Sequence, residues 1–230
     1  MGSTRLPGKA LNDIEGRPLL VWTLAAYRAV SSIEVVVVAT TVEPADDVLA
    51  AVAALYGPVF RGDRLDVLAR ITAAAAPYHP EFVVRGTADN PFPDPDVIAA
   101  QVALCVDGYD YVGGTGYPLG VAAEVVAMRA LEAADREALQ AGEREHVTPF
   151  IYRRPGRFRL GSLPPVTPAG RGRYTVDTAN DLALVRELAS RIRHGPPVRM
   201  YELEAILATE PDLVEINAGT RQRSWDEVEA

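Results

Sequence analysis

The chain has 230 residues, with 23 Lys and Arg against 31 Asp and Glu and a formal net charge of −8. That length holds one large α/β domain or two small ones, and the negative balance speaks against a broad nucleic-acid-binding face. The lone Cys105 excludes an intrachain disulfide and fits a reducing cytoplasm. No apolar run reaches the roughly 18 residues of a membrane span, and no apolar core follows the first cations as in a signal peptide.

The chain opens with Met1-Gly2-Ser3-Thr4-Arg5-Leu6-Pro7-Gly8-Lys9. Gly2, Ser3 and Thr4 let backbone N–H groups approach oxyanions closely, and Arg5 and Lys9 add positive charge at short spacing. This is the composition of a loop that wraps a polyphosphate; a floppy basic chain end is the competing reading. A one-faced apolar pattern over residues 19–27 predicts a helix, entered through Gly16-Arg17-Pro18. Residues 35–40 form a β-branched run, read as a strand buried on both faces. Helix 48–55, strand 59–60, helix 66–76, strand 81–85, helix 94–106 and strand 109–112 follow in alternation. Cys105 sits within an apolar run, where a buried, inert thiol is expected.

Such alternation predicts βαβ units and a mostly parallel sheet with helices on both faces. Right-handed crossovers then gather the loops at 40–47, 61–66 and 86–95 around one crevice. Further along, residues 121–128 read as a strand, 128–140 as a charged helix, 146–152 as a helix and 157–163 as a strand. A Pro/Gly-rich loop at 164–172 precedes a short strand at 174–177 and a helix at 180–192. After the break at His194-Gly195-Pro196-Pro197, residues 200–208 and 211–216 form a small helical tail. The expected division is 1–193 for the main domain and 194–230 for the tail.

Two carboxylates stand at predicted strand ends. Asp89 follows strand 81–85, and Asp177 ends the short strand at 174–177. Together they suit Mg²⁺, which prefers hard oxygen ligands and brings phosphates as co-ligands. Taken singly, Asp89 reads equally as a turn residue before Asn90-Pro91, and Asp177 as a helix N-cap. The cluster Glu143-Arg144-Glu145-His146 reads either as a solvated helix start or as part of a site.

Residues 1–9 and 12–20 together resemble the signature of the sugar cytidylyltransferases, nearest to the spore-coat polysaccharide cytidylyltransferase-like proteins. CMP-KDO and CMP-sialic acid synthetases are more distant relatives. The resemblance continues in order through Val36–Thr41, Val59-Phe60-Arg61-Gly62, Asp66-Val67-Leu68, residues 85–95, Arg144–Pro149 and Thr175-Val176-Asp177-Thr178. It implies an α/β, Rossmann-like nucleotidyltransferase fold and transfer of CMP from CTP to a sugar-like or other small acidic acceptor. Pyrophosphate would leave, and Mg²⁺ would sit on Asp89 and Asp177. Gly2, Ser3, Thr4, Arg5 and Lys9 would cradle the triphosphate, with Arg5 and Lys9 stabilising charge. Arg61, Gly62, Asp66 and Thr87 would line the nucleotide. Tyr117, Glu124, Arg144, Glu145 and His146 would face the acceptor or a subunit contact. The resemblance also implies a homodimer, while the cytoplasmic location rests on the lone cysteine.

Two departures stand out. Relatives carry an acidic version of residues 117–124, whereas this chain has Leu119 and Ala122 at two of those positions and keeps Glu124. Relatives also begin with an apolar strand before the glycine-rich loop, so the expectation is that Met1 is an internal methionine of a longer reading frame. Two other readings stay open: a nucleotide-binding homologue without turnover, and a nucleotidyltransferase using another NTP.

Overall fold

The computed structural model describes residues 6–165 and 172–222. Gly8, left-handed at φ 72°, turns the chain into a 3-10 turn over Lys9–Leu11. A small hairpin follows, β1 (Asp13–Ile14) against β2 (Arg17–Pro18), leading into α1 (Leu19–Arg28). Glu15 and Gly16 both have positive φ, as a two-residue hairpin loop requires. The Trp22 indole N–H donates to Ile14 O at 3.0 Å, and Leu19 N–H to Asn12 O at 2.9 Å. The opening turn is thereby fixed to the first helix.

The strands fall into separate ladders. β3 (Val38–Thr41) pairs in parallel with β4 (Val59–Gly62), with α2 (Asp47–Ala54) between them in sequence. A four-stranded sheet has the order β5 (Phe82–Arg85), β7 (Glu124–Ala127), β6 (Tyr111–Gly113), β8 (Leu160–Ser162). β7 runs against β5 and β6, and β8 runs with β6, so three of its four strands share one direction.

Helices cover both faces of this sheet, as the alternating pattern predicts. Period-two alternation sends Val125 to one face, where it packs with α4 (Pro95–Val106), and Val126 to the other, beside α3 (Val67–Ala75) and α5 (Met128–Glu137). Cys105 is buried on the α4 side, and burial pushes its thiol up to about 12, an inert state at neutral pH. No helix among the described residues is long and apolar enough to cross a membrane.

Three expected elements differ. Of the 35–40 run only residues 38–40 fall in a strand, Val38–Thr41. β3 and β5 are not hydrogen-bonded to each other; between them lies a cleft of about 880 Å³, lined by Val36, Val38, Val84, Leu24, Ile71 and Ala74. Among the described residues, 35–37 have no ladder partner, and a strand needs a neighbour as well as an apolar sequence. The expected helix at 146–152 is broken into α6 (Ala141–His146) and α7 (Pro149–Tyr152). Val147, at φ 74° and ψ −58°, forms a tight turn closed by Thr148 N–H on His146 O at 2.9 Å. Residues 174–177 make no strand; the segment is tied in by a single bridge between Leu119 and Arg173 and by Val176 N–H on Asp89 O at 2.8 Å.

α8 (Ala179–Arg191) and α9 (Met200–Thr209), followed by a 3-10 segment at Pro211–Ile216, complete the described chain. Leu188 of α8 and Leu203 of α9 share one core with Trp22 and Phe92.

Candidate active site

Lys9, Asp89 and Asp177 come together from three distant parts of the sequence. The Lys9 ammonium lies 2.6 Å from Asp89 Oδ2 and 2.7 Å from Asp177 Oδ1. Each element delivers its group for a local reason. Gly8 starts the Lys9 turn, and a turn closed by Asn90 N–H on Thr87 O carries Asp89 beyond β5. Asp177 lies just ahead of α8, whose N-cap is its neighbour Thr178. Thr178 and Asp181 form a capping box, with Asp181 N–H on Thr178 Oγ1 at 3.3 Å and Thr178 N–H on Asp181 Oδ2 at 2.9 Å. The cap therefore does not occupy the Asp177 carboxylate.

Asp177 is held from its other side as well. Arg173 donates through one terminal nitrogen to Asp177 Oδ2 and through Nε to Asp181 Oδ1 at 2.9 Å. Asp181 is fully buried and also accepts from Asn217 Nδ2 at 2.9 Å and from the Asp177 N–H at 3.0 Å. Burial opposes its charge, but the bonds from Arg173, Asn217, the Asp177 amide and Thr178 hold the carboxyl below the usual range.

A second polar cluster involves Arg85 and Glu124. Glu124 Oε1 accepts from the Tyr111 hydroxyl at 2.8 Å and from Thr148 Oγ1 at 2.6 Å, while its Oε2 pairs with Arg85. Burial raises the Tyr111 hydroxyl well above the ordinary phenol range, and the Glu124 carboxylate adds to this. Tyr27 joins the two clusters electrostatically. Burial also raises its hydroxyl, Arg85 opposes the shift, and the Glu124 and Asp89 carboxylates reinforce it. Gly86 packs so tightly beneath the Tyr27 ring that a Cβ there would fall 2.0 Å from the phenol oxygen.

The remaining sequence-predicted residues are placed as follows. Gly2, Ser3, Thr4 and Arg5 lie outside the described residues. Thr87 sits in the Asp89 turn. Arg61 ties the end of β4 to the loop after β3, donating to Thr41 O at 2.7 Å and to Glu43 O at 3.0 Å. Gly62 lies at the end of β4, where a Cβ would meet Arg70 Cγ at 2.9 Å. Asp66 caps α3 through Ala69 N–H at 3.0 Å and pairs with Arg144. Arg144 also binds Asp135 at 2.6 Å, which fixes α6 to α3 and α5. Both carboxylates hold the Arg144 guanidinium above its ordinary pKa, Asp66 most strongly. Glu145 is exposed and His146 half-buried beside the Val147 turn, which also delivers Thr148 to Glu124. Tyr117 packs half-buried against the core cluster that contains Trp22, Phe92 and Tyr174.

Sequence reasoning missed Arg85, Tyr111, Arg173, Asp181 and Asn217. The Arg85 signal was present, since it ends a strand beside the Asp89 turn.

The chemistry of the donor set fits Mg²⁺. Two hard carboxylate oxygens from separate elements already converge on one cation, the Lys9 ammonium. No group of three or more His, Cys, Asp or Glu side chains suited to a metal occurs among the described residues. Two protein carboxylates with substrate phosphates completing the shell are the ordinary mode for this ion.

Residues 1–209 match the family model described as cytidylyltransferase. The chain belongs to the cytidylyltransferase family. It is 34% identical over 232 residues to an uncharacterized protein of Methanocaldococcus jannaschii, covering 99% of this chain and 95% of the relative. It is 34% identical over 223 residues to the spore coat polysaccharide biosynthesis protein SpsF of Bacillus subtilis, covering 92% of each. A cytidylyltransferase structure from Leptospira borgpetersenii superposes with a TM-score of 0.86 at 25% identity, over 97% of this chain and 95% of that one. This cytidylyltransferase thus has the nucleotidyltransferase fold that the resemblance implies.

Proposed function

We propose that this cytidylyltransferase joins CMP from CTP to a small, hydroxyl-bearing, sugar-like acid, with pyrophosphate as the leaving group. The convergence of Lys9, Asp89 and Asp177 carries this reading, because it supplies a cation and a hard carboxylate pair at one point. An acceptor oxygen attacks the α-phosphorus in line as the bond to pyrophosphate breaks. The protein's contribution to such a reaction is orientation and charge stabilisation. In this reading Lys9 passes from the carboxylate pair to the triphosphate, where its charge offsets that developing on pyrophosphate. Asp89 and Asp177 would hold Mg²⁺, which when bound supplies Lewis-acid polarisation of phosphate oxygens.

The Arg85–Glu124–Tyr111–Thr148 cluster is the proposed acceptor side. Glu124 accepts hydroxyl hydrogens, and Arg85 offers positive charge to an acidic group. Leu119, 40% exposed, and Ala122 narrow the range of hydroxyl-rich acceptors by removing two carboxylates from the neighbouring segment. Supporting the sugar reading is the similarity to a spore coat polysaccharide biosynthesis protein.

The test is pyrophosphate release with Mg²⁺, comparing CTP with ATP, GTP and UTP across a panel of acidic and neutral sugars. CTP-dependent release with an acidic sugar is expected. Release with another NTP alone, or none with any acceptor, would overturn the proposal.

A further inference from the structure

Asn217 lies in the segment after the last 3-10 turn, 36 residues beyond Asp181, and is 5% exposed. Its side-chain nitrogen donates twice, to Arg173 O and to Asp181 Oδ1, both at 2.9 Å. Arg173 and Asp181 both hold Asp177, alongside Lys9. Arg173 bonds the Asp177 carboxylate, and Asp181 Oδ2 accepts the Asp177 backbone N–H at 3.0 Å and the Thr178 N–H at 2.9 Å. Gln222, further along the same segment, accepts from the remaining terminal nitrogen of Arg173. A wholly buried carboxylate holds its geometry only while its oxygens stay satisfied, and Asn217 supplies one of the two donors on Asp181 Oδ1.

We propose that Asn217 is a positioning residue for Asp177, acting through Asp181 and Arg173, so that the segment after α9 is a working part of the transfer site. The inference rests on the reading of Lys9, Asp89 and Asp177 as the reaction centre. A residue that merely fastened the segment to the core would make no difference to Asp177 in particular.

The test uses the full chain as wild type, Asn217→Ala, Asp177→Asn and the double variant, with amide hydrogen exchange and CTP-dependent pyrophosphate release as readouts. In Asn217→Ala, exchange at the Asp177 and Thr178 amides is expected to rise about tenfold, with Val185 and Leu188 unaltered. Turnover is expected to fall about tenfold with the KM for CTP nearly constant. In the Asp177→Asn background, Asn217→Ala is expected to change turnover by less than about twofold. Unchanged exchange at Asp177 and Thr178, acceleration shared equally by Val185 and Leu188, or fully multiplicative losses of turnover would each overturn the inference. Should Asn217→Ala fail to fold, Arg173→Lys, which keeps the charge but cannot bridge Asp177 and Asp181 together, is expected to give the same site-specific exchange; its absence counts against the proposal. A wild type that releases no pyrophosphate defeats the reaction reading instead, and the exchange arm still decides the positioning role.

Discussion

The Tyr27 hydroxyl is buried without a hydrogen-bond partner among the described residues, directly over the backbone of Gly86. The contact leaves no room for any side chain at position 86, and it ties α1 to the loop that carries Asp89. Gly86→Ala is therefore expected to destabilise the protein by about 1–3 kcal/mol through overpacking. Tyr27→Phe removes an unsatisfied polar atom and is expected to be neutral or stabilising by about 1 kcal/mol. A Cβ at position 86 would also fall 2.3 Å from Tyr27 Cζ, so Tyr27→Phe leaves most of the clash in place and the double variant should not recover the loss caused by Gly86→Ala. Denaturant melts of the four proteins test this, and full rescue of Gly86→Ala by Tyr27→Phe would show that the phenol oxygen is the whole obstacle.

Lys9→Ala removes the cation between Asp89 and Asp177. Turnover with CTP is expected to fall about 100-fold, in the range seen when one preorganised charge donor is lost. Stability should fall by about 1–2 kcal/mol, because two partly buried carboxylates then lose the cation they share, while Arg173 still pairs with Asp177. Asp89→Ala is expected to lower turnover similarly. Steady-state kinetics together with thermal melts separate the two effects; unaltered turnover in either variant removes that residue from the site.

Asp66 offers a contrast. Asp66→Ala loses both the α3 cap and the Arg144 pair and is expected to cost about 1–2 kcal/mol. Asp66→Asn keeps a good capping side chain, and because the lost ion pair is partly solvent-exposed, the cost should stay below about 1 kcal/mol. Equal losses in the two variants, by urea unfolding, would contradict the capping role.

How much of this was legible in the sequence follows from the range of each interaction. Asp94 and Asp66 were readable as helix starts because a cap is satisfied within three residues. Lys9, Asp89 and Asp177 were readable from their chemistry at loop and strand ends. The Asp66–Arg144 pair spans 78 residues, and the bonds from Asn217 to Asp181 and Arg173 span 36 and 44, so no local pattern announces them. The hairpin strands, Asp13–Ile14 and Arg17–Pro18, are too short to show any period. β7 was legible as a strand but not as the one running against its neighbours, since apolar alternation carries no direction. Val147 was hidden for a different reason: a β-branched residue is a poor candidate for positive φ, and the packing of the surrounding core together with the Thr148 N–H bond to His146 O holds it there.

Acid is expected to loosen the Asp177 support through Asp181. The Asp181 pKa is lower in the folded than in the unfolded state, so its contribution to stability is complete above about pH 4. It is lost as the pH falls through the folded value. Asp181→Asn should be less stable than wild type at pH 7 yet lose less further stability between pH 5 and pH 3. Denaturation at the three pH values checks this, and parallel losses in both proteins would place the acid sensitivity elsewhere.

The Lys9–Asp177 contact joins residues 168 positions apart, and Asn217 lies 44 positions beyond Arg173. During synthesis, Lys9 emerges well ahead of its carboxylate partners and waits for the 168 positions up to Asp177 before both exist. The ladders and the core around α4 can form earlier from nearer neighbours. Such long-range closure is also slow relative to local contacts. The convergence of Lys9, Asp89 and Asp177 is therefore among the last parts of the molecule to become whole, and a nascent chain stopped ahead of Asn217 would carry all three without the bonds from Asn217 to Arg173 and Asp181.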